Sequence, residues 1–258
     1  MPWLPWLQDC PEYDHEVGLV DLSMFIHMCK FRHLQSKITC ASAQLKPEDS
    51  KPFITSMLVE IKDWERQSEA FVRGKDDEEG YFSSLWLRRG CAVLEVQLYS
   101  MYGIVTATAT AAEMVVSLFN ACCATCHAFR KVQKSHQLAP QWIDTIFEFQ
   151  AGVTLLYLIW SKNIASQDWQ AAERAVRDCR STLVILATVA PVVESFINCI
   201  DALVTMVFNE TQNVPDTAER KAGSEQELQE AMQKAIDAGV APHIRDMLHE
   251  MSKGREII

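Results

Sequence analysis

Apolar residues in this chain recur at three- and four-residue spacing over most of its length, the period of helices that bury one face. From Val20 to Ser42 the residues Leu22, Phe25, Ile26, Cys29, Leu34 and Ile38 fall near one face and predict a first helix. Lys46-Pro47-Glu48-Asp49-Ser50 interrupts it, and Ser50 is placed to cap a second helix with Pro52 in its first turn. In that helix Ile54, Met57, Leu58, Ile61 and Trp64 repeat the pattern. After the polar run Gly74–Gly80, Tyr81 to Tyr102 and Val105 to Gln133 predict two long helices broken at Gly103. The small-residue stretch Thr106 to Ala112 suits close helix packing better than a strand.

Trp142 to Trp160 (WIDTIFEFQAGVTLLYLIW) departs from this one-faced pattern. Its first half mixes charge with apolar bulk, Asp144 and Glu148 lying four residues apart. From Phe149 onward only Gln150 and Thr154 are polar. A helix that is apolar on nearly every side has to be enclosed by others. The short bulky run Val153 to Trp160 could be a strand, but the unbroken length favours helix. Asp168 is placed to cap the next helix, striped by Ala172, Val176, Cys179, Leu183 and Leu186, and Pro191 breaks it before a last apolar segment to Phe208.

Beyond a polar linker at residues 209–223, Ser224-Glu225-Gln226-Glu227 matches a capping box. Leu228, Met232, Ala235 and Ile236 follow on one face. Gly239 can end that helix, and Pro242 can open another with Ile244, Met247, Leu248 and Met251. No stretch alternates at period two long enough to demand a sheet. The expected fold is all-α: a multi-helix globular bundle of long buried helices at residues 18–208, with an irregular segment at 1–17 and a C-terminal amphipathic helical tail at 224–258.

Composition sharpens this picture. A chain of 258 residues with 48% hydrophobic and 22% charged side chains can bury a substantial core. A formal charge of −10, with basic residues scattered, argues against direct binding to a phosphate backbone. The N-terminus lacks the basic start and apolar run of a secretion signal, so the nine cysteines are expected to be reduced. Cys29, Cys91, Cys122, Cys179 and Cys199 lie in apolar helical stretches and are expected to be buried. Val96–Ala112 and Leu183–Phe208 are expected to be core helices, because each falls short of the roughly twenty strongly apolar residues a spanning helix needs.

Three groups of residues resemble chemistry. Cys122-Cys123-Ala124-Thr125-Cys126-His127 contains the CxxCH spelling of covalent haem attachment, and a helix would put Cys123, Cys126 and His127 on one face. With no second paired cluster to complete a zinc site, it reads as a cysteine-rich core helix. Asp76-Asp77-Glu78-Glu79 is similar to the aspartate-rich magnesium motif of helical terpene cyclases, but the acids are consecutive and flanked by glycines, as in a solvated loop. The seven histidines form no HExxH motif; His27 and His33 read as surface or satisfied buried residues. The sequence thus assigns no catalytic, cofactor-binding or metal-ligating residue, and the expectation is a non-enzyme without a cofactor.

Several segments carry a resemblance. Phe31 to Ile38 (FRHLQSKI) resembles the "LRRLQSEI" helix of the fungal-specific transcription factor domain, the middle homology region of Zn(II)2Cys6 binuclear cluster regulators. In the order of that family follow Leu58 to Arg66 (LVEIKDWER), Tyr81 to Arg89 (YFSSLWLRR), Phe147 to Trp160 (similar to "iF.aGltLLYclW") and Asp178 to Leu183. The acidic, proline-containing Asp9 to Glu16 precedes them. The resemblance covers residues 9–208 and implies a regulatory domain acting in the nucleus of a fungus. It implies control of gene expression, commonly of secondary-metabolite or nutrient pathways. Its implied partners are transcriptional regulatory proteins or a small-molecule effector, with no membrane. The family's N-terminal C-x2-C-x6-C cluster is missing here, so DNA contact carries over to no residue, and the chain is expected to begin inside the homology region. The alternatives are a helical enzyme of terpene-cyclase type and a non-catalytic scaffold that binds a partner through Ser224 to Met251.

Overall fold

The computed structural model describes residues 23–42, 47–72, 83–102, 109–134, 142–209 and 218–253. Among them the chain forms α1 (Ser23–Ser42), α2 (Pro47–Val72), α3 (Ser84–Tyr102), α4 (Ala109–Lys134), α5 (Trp142–Trp160), α6 (Trp169–Ala187), α7 (Glu194–Asn209), α8 (Ala218–Asp237) and α9 (Pro242–Ser252), with no strand. The all-α fold expected from the sequence is what the chain adopts.

The hydrophobic length of α5 dictates the architecture. Every residue from Phe147 to Trp160 is buried, and α3, α4, α6, α7 and α9 surround the helix. Burying a leucine such as Leu155, Leu156 or Leu158 contributes about 1.5–3 kcal/mol, so this helix anchors the core. Its C-terminus closes with Asn163 N–H on the Leu158 carbonyl and Lys162 N–H on that of Ile159. Lys162 is left-handed there, at φ 57°, as a helix end of this kind requires. α1, α2 and α3 pack against one another, and α3 joins them to α4 and α5.

Among the described residues two segments, Trp142–Trp160 and Pro191–Phe208, are long and apolar enough to cross a membrane by length and composition. In the first, 83% of the apolar window is buried inside the bundle. The second holds nearly all of α7, which buries Phe196, Cys199, Ile200, Leu203 and Val207 at helical spacing and packs on α5, α6 and α8.

The structure corrects the sequence reading of α1. Phe25 and Ile26 are 66% and 53% exposed, and Cys29 is exposed as well. The buried seam runs instead through Met24, His27, Phe31, Leu34 and Ile38. Its pivot is the His27 ring, stacked on Trp64 of α2 with centroids 4.5 Å apart. The Trp64 indole N–H donates to the His27 carbonyl at 3.0 Å. Ser68 Oγ–H already donates to the Trp64 carbonyl. His27 Nε2 therefore donates its own proton to Ser68 Oγ, at 2.7 Å, because a hydroxyl has only one hydrogen to give.

Helix starts differ too. The second helix begins at Pro47, so Ser50 and Pro52 lie inside it. The eighth begins at Ala218, which puts Ser224 within a helix and not at a cap. Asp168 occupies the N-cap of α6 but closes a 3-10 turn, Ser166–Asp168, and makes no side-chain cap bond. Pro191 opens a 3-10 turn before α7, and Pro242 opens α9, as expected.

The C-terminal amphipathic helices are present, and their apolar faces are used inside the molecule. Met232 and Ala235 of α8 and Ile244, Met247, Leu248 and Met251 of α9 join the same core as α5. Three polar contacts fix α9 on α5: Gln150 to His243, Thr154 to Met247 and Tyr157 to Glu250, each pair 93 residues apart. A constant offset means that the two helices run parallel. The apolar face of these helices is covered within the molecule.

Candidate functional site

Where α4, α5 and α6 meet, the core contains three side chains with ligating atoms. Cys126 comes from α4, Glu148 from α5 and Cys179 from α6. All three are buried, and their ligating atoms lie within 4.8 Å of one another. Local sequence explains each placement. Cys122, Cys126 and Phe129 are fully buried on the inner face of α4. Cys179 sits on the buried stripe of α6, as its spacing predicts. One turn beyond Glu148, Gly152 lets α6 approach: a Cβ there would meet Cys179 Sγ at 2.7 Å.

The thiols are hydrogen-bonded in series. Cys179 donates to the main-chain carbonyl of Glu148 at 3.3 Å, and Cys126 is hydrogen-bonded to Cys179. That bond, then burial, pushes the Cys126 thiol well above its ordinary range, and burial does the same to Cys122. Both are protonated, and so are poor nucleophiles. Burial also pushes the Glu148 carboxyl well up, with Cys179, Asp178 and Asp144 adding to the effect and Arg89 opposing it. Neither Glu148 oxygen has a hydrogen-bond partner, and Thr125 Oγ1 on α4 is likewise buried without one.

Nearby, Asp144, one turn before Glu148, forms an ion pair with Arg89 of α3 at 3.0 Å, both side chains under a tenth exposed. That Arg89 nitrogen is off the line a hydrogen bond needs, so the contact is ionic. The guanidinium lies over the rings of Trp86 and Phe129.

The CxxCH residues do not converge. Cys126 faces Glu148 and Cys179, whereas His127 pairs through Nδ1 with Asp178 at 2.6 Å, and Cys123 is only partly buried. Asp76–Glu79 lies outside the described residues. His33 is exposed, and His243 is held by Gln150. The sequence marks neither Glu148 nor Cys179 as a ligand, because it places Asp144 and Glu148 together as a charged stretch. A carboxylate in the approach to the most apolar run of the chain is the one signal that points to the site. No family model, no curated protein and no solved structure matches the chain.

Proposed function

We propose that this chain is a regulatory helical domain of the fungal-specific transcription factor type. It acts in the nucleus on gene expression without catalysing a reaction. The observation that carries this reading is where the resembling segments lie. Phe31, Leu34 and Ile38, then Ile61 and Trp64, then Trp86 and Leu87, then Phe147 to Trp160, then Cys179 and Leu183 are all buried, and nearly all of them belong to one core. The segments that carry the resemblance are thus packing residues of one folded core, which supports reading them as a domain. Such a domain works by shifting populations between active and inhibited states when a regulatory protein or small effector binds one of them better. A formal charge of −10 disfavours direct contact with a phosphate backbone, and the resemblance implies that contact with DNA would run through a separate zinc-cluster module.

The test places the chain between a DNA-binding module and an activation domain in a yeast reporter strain. Reporter output is expected to change relative to a fusion carrying an unrelated helical domain, and Leu156→Asp, which breaks the core, is expected to abolish the change. Equal output from both fusions at matched protein levels would overturn the reading.

A further inference from the structure

We infer that Cys126, Glu148 and Cys179 form a binding site for a thiophilic divalent cation, zinc being the best match, at the junction of α4, α5 and α6. This goes beyond the regulatory reading and does not depend on it.

The geometry is close to what such an ion needs. Tetrahedral zinc holds sulfur at about 2.3 Å and carboxylate oxygen at about 2.0–2.2 Å, which sets its ligand atoms roughly 3.5–3.8 Å apart. Here the three donors already lie within 4.8 Å of one another. Side-chain adjustments of about one ångström bring them to that spacing. Each donor sits on a different helix, so the backbone presents all three without a loop having to close over them. Cys122, one turn before Cys126 on the same buried face, is the neighbouring soft donor for a fourth position.

Glu148 is the second, independent observation. Its carboxyl group is wholly buried and both oxygens lack partners. A core that needed only volume here would be served by an apolar side chain, because an unpaired polar group is costly to bury. A cation supplies the missing partner. Two thiols and a carboxylic acid also match the preference of zinc for sulfur, whereas magnesium or calcium would require oxygen donors throughout.

Binding exchanges protons for the charge of the metal. The ion displaces the protons of the Cys126 and Cys179 thiols and of the Glu148 carboxyl, so three protons leave as the dication enters. With these three ligands the filled site carries a net charge of −1, and a Cys122 thiolate in the fourth position would release one more proton and make it −2. The Arg89 guanidinium attracts Glu148 and faces that charge, whereas Asp144 and Asp178 repel it. Uptake of the ion therefore pins three helices together, as in structural zinc sites, whose binding energy is folding energy.

The test measures metal in the full chain, expressed with zinc and freed of loose metal by gel filtration. Elemental analysis is expected to find one zinc per chain. Cobalt in its place is expected to show thiolate-to-metal charge transfer, and a strong chelator should lower the Tm. Glu148→Gln and Cys179→Ser should weaken zinc binding by more than the roughly 10–100-fold that loss of a group hydrogen-bonded to a ligand costs. Cys199→Ser, at a buried thiol with burial alone acting on it, should bind zinc like the unsubstituted chain. A folded, unsubstituted protein that holds no zinc, and whose Tm responds to neither zinc nor chelator, would overturn the proposal. So would a zinc affinity in Glu148→Gln equal to that of the unsubstituted chain. If the substituted chains do not fold, the unsubstituted protein decides the matter alone.

Discussion

The Gln150 amide of α5 donates a 2.8 Å hydrogen bond to His243 Nε2 of α9, which requires that the imidazole be neutral at that nitrogen. Burial pushes His243 down to about 4, with Asp246 opposing it. As the pH falls through 6.5 the unfolded chain takes up this proton first. Stability is therefore complete above about pH 6.5 and is lost progressively down to about 4, by at most about 3 kcal/mol. His27, lowered to about 4 by burial and then by Lys30, titrates in the same direction. Thermal unfolding at about pH 7 and about pH 5 should show a fall in Tm that His243→Gln makes smaller. An unchanged pH dependence in that variant would show that the contact is not what couples α9 to acidity.

Arg89 and Asp144 are buried together, so removing one leaves the other charge unpaired. Asp144→Asn is expected to cost about 3–5 kcal/mol in urea unfolding. The double substitution Arg89→Met with Asp144→Leu should recover most of that loss, because it buries no lone charge. If the double variant were as unstable as the single, the ionic account would fail.

At Gly152 two effects of alanine oppose each other. A helix interior gains about 1 kcal/mol from Gly→Ala. The new methyl would meet Cys179 Sγ at 2.7 Å and Ile200 Cδ1 at 3.1 Å. Overpacking of this kind costs about 1–3 kcal/mol, so the predicted net effect is a loss of stability, measured as a lower urea midpoint.

Lys162 offers the opposite sign. It holds a left-handed conformation at the end of α5, where glycine carries no steric penalty. Lys162→Gly should raise stability by about 1 kcal/mol, and a lower Tm in this variant would contradict the cap geometry.

Thiol accessibility divides the described cysteines. Cys29 and Cys40 are exposed and should react with maleimide in the native protein. Cys91, Cys122, Cys126, Cys179 and Cys199 are buried and should react only on unfolding. Mass spectrometry of a timed labelling series separates the two groups.

These residues also show how far the sequence can be read. The bounds of α5 are legible in it, since a run without a polar face can only be enclosed. So are the stripes of α6 and α9, whose buried residues are the periodic ones. The face of α1 is not, because Phe25 and Ile26 outweigh His27 on any scale of hydrophobicity. Only the Trp64 ring, 37 residues on, makes the imidazole the better residue to bury. Glu148 escapes for the same reason: its surroundings come from α4 and α6, and nothing local to α5 announces them.

Because α9 lies alongside α5 at a fixed separation of 93 residues, a growing chain emerges from the ribosome with its most apolar helix bare on one flank. At ordinary elongation rates the covering segment arrives roughly 5–20 s later. During that interval the bare flank is open to aggregation, and pauses in translation between the two helices would lengthen the exposure.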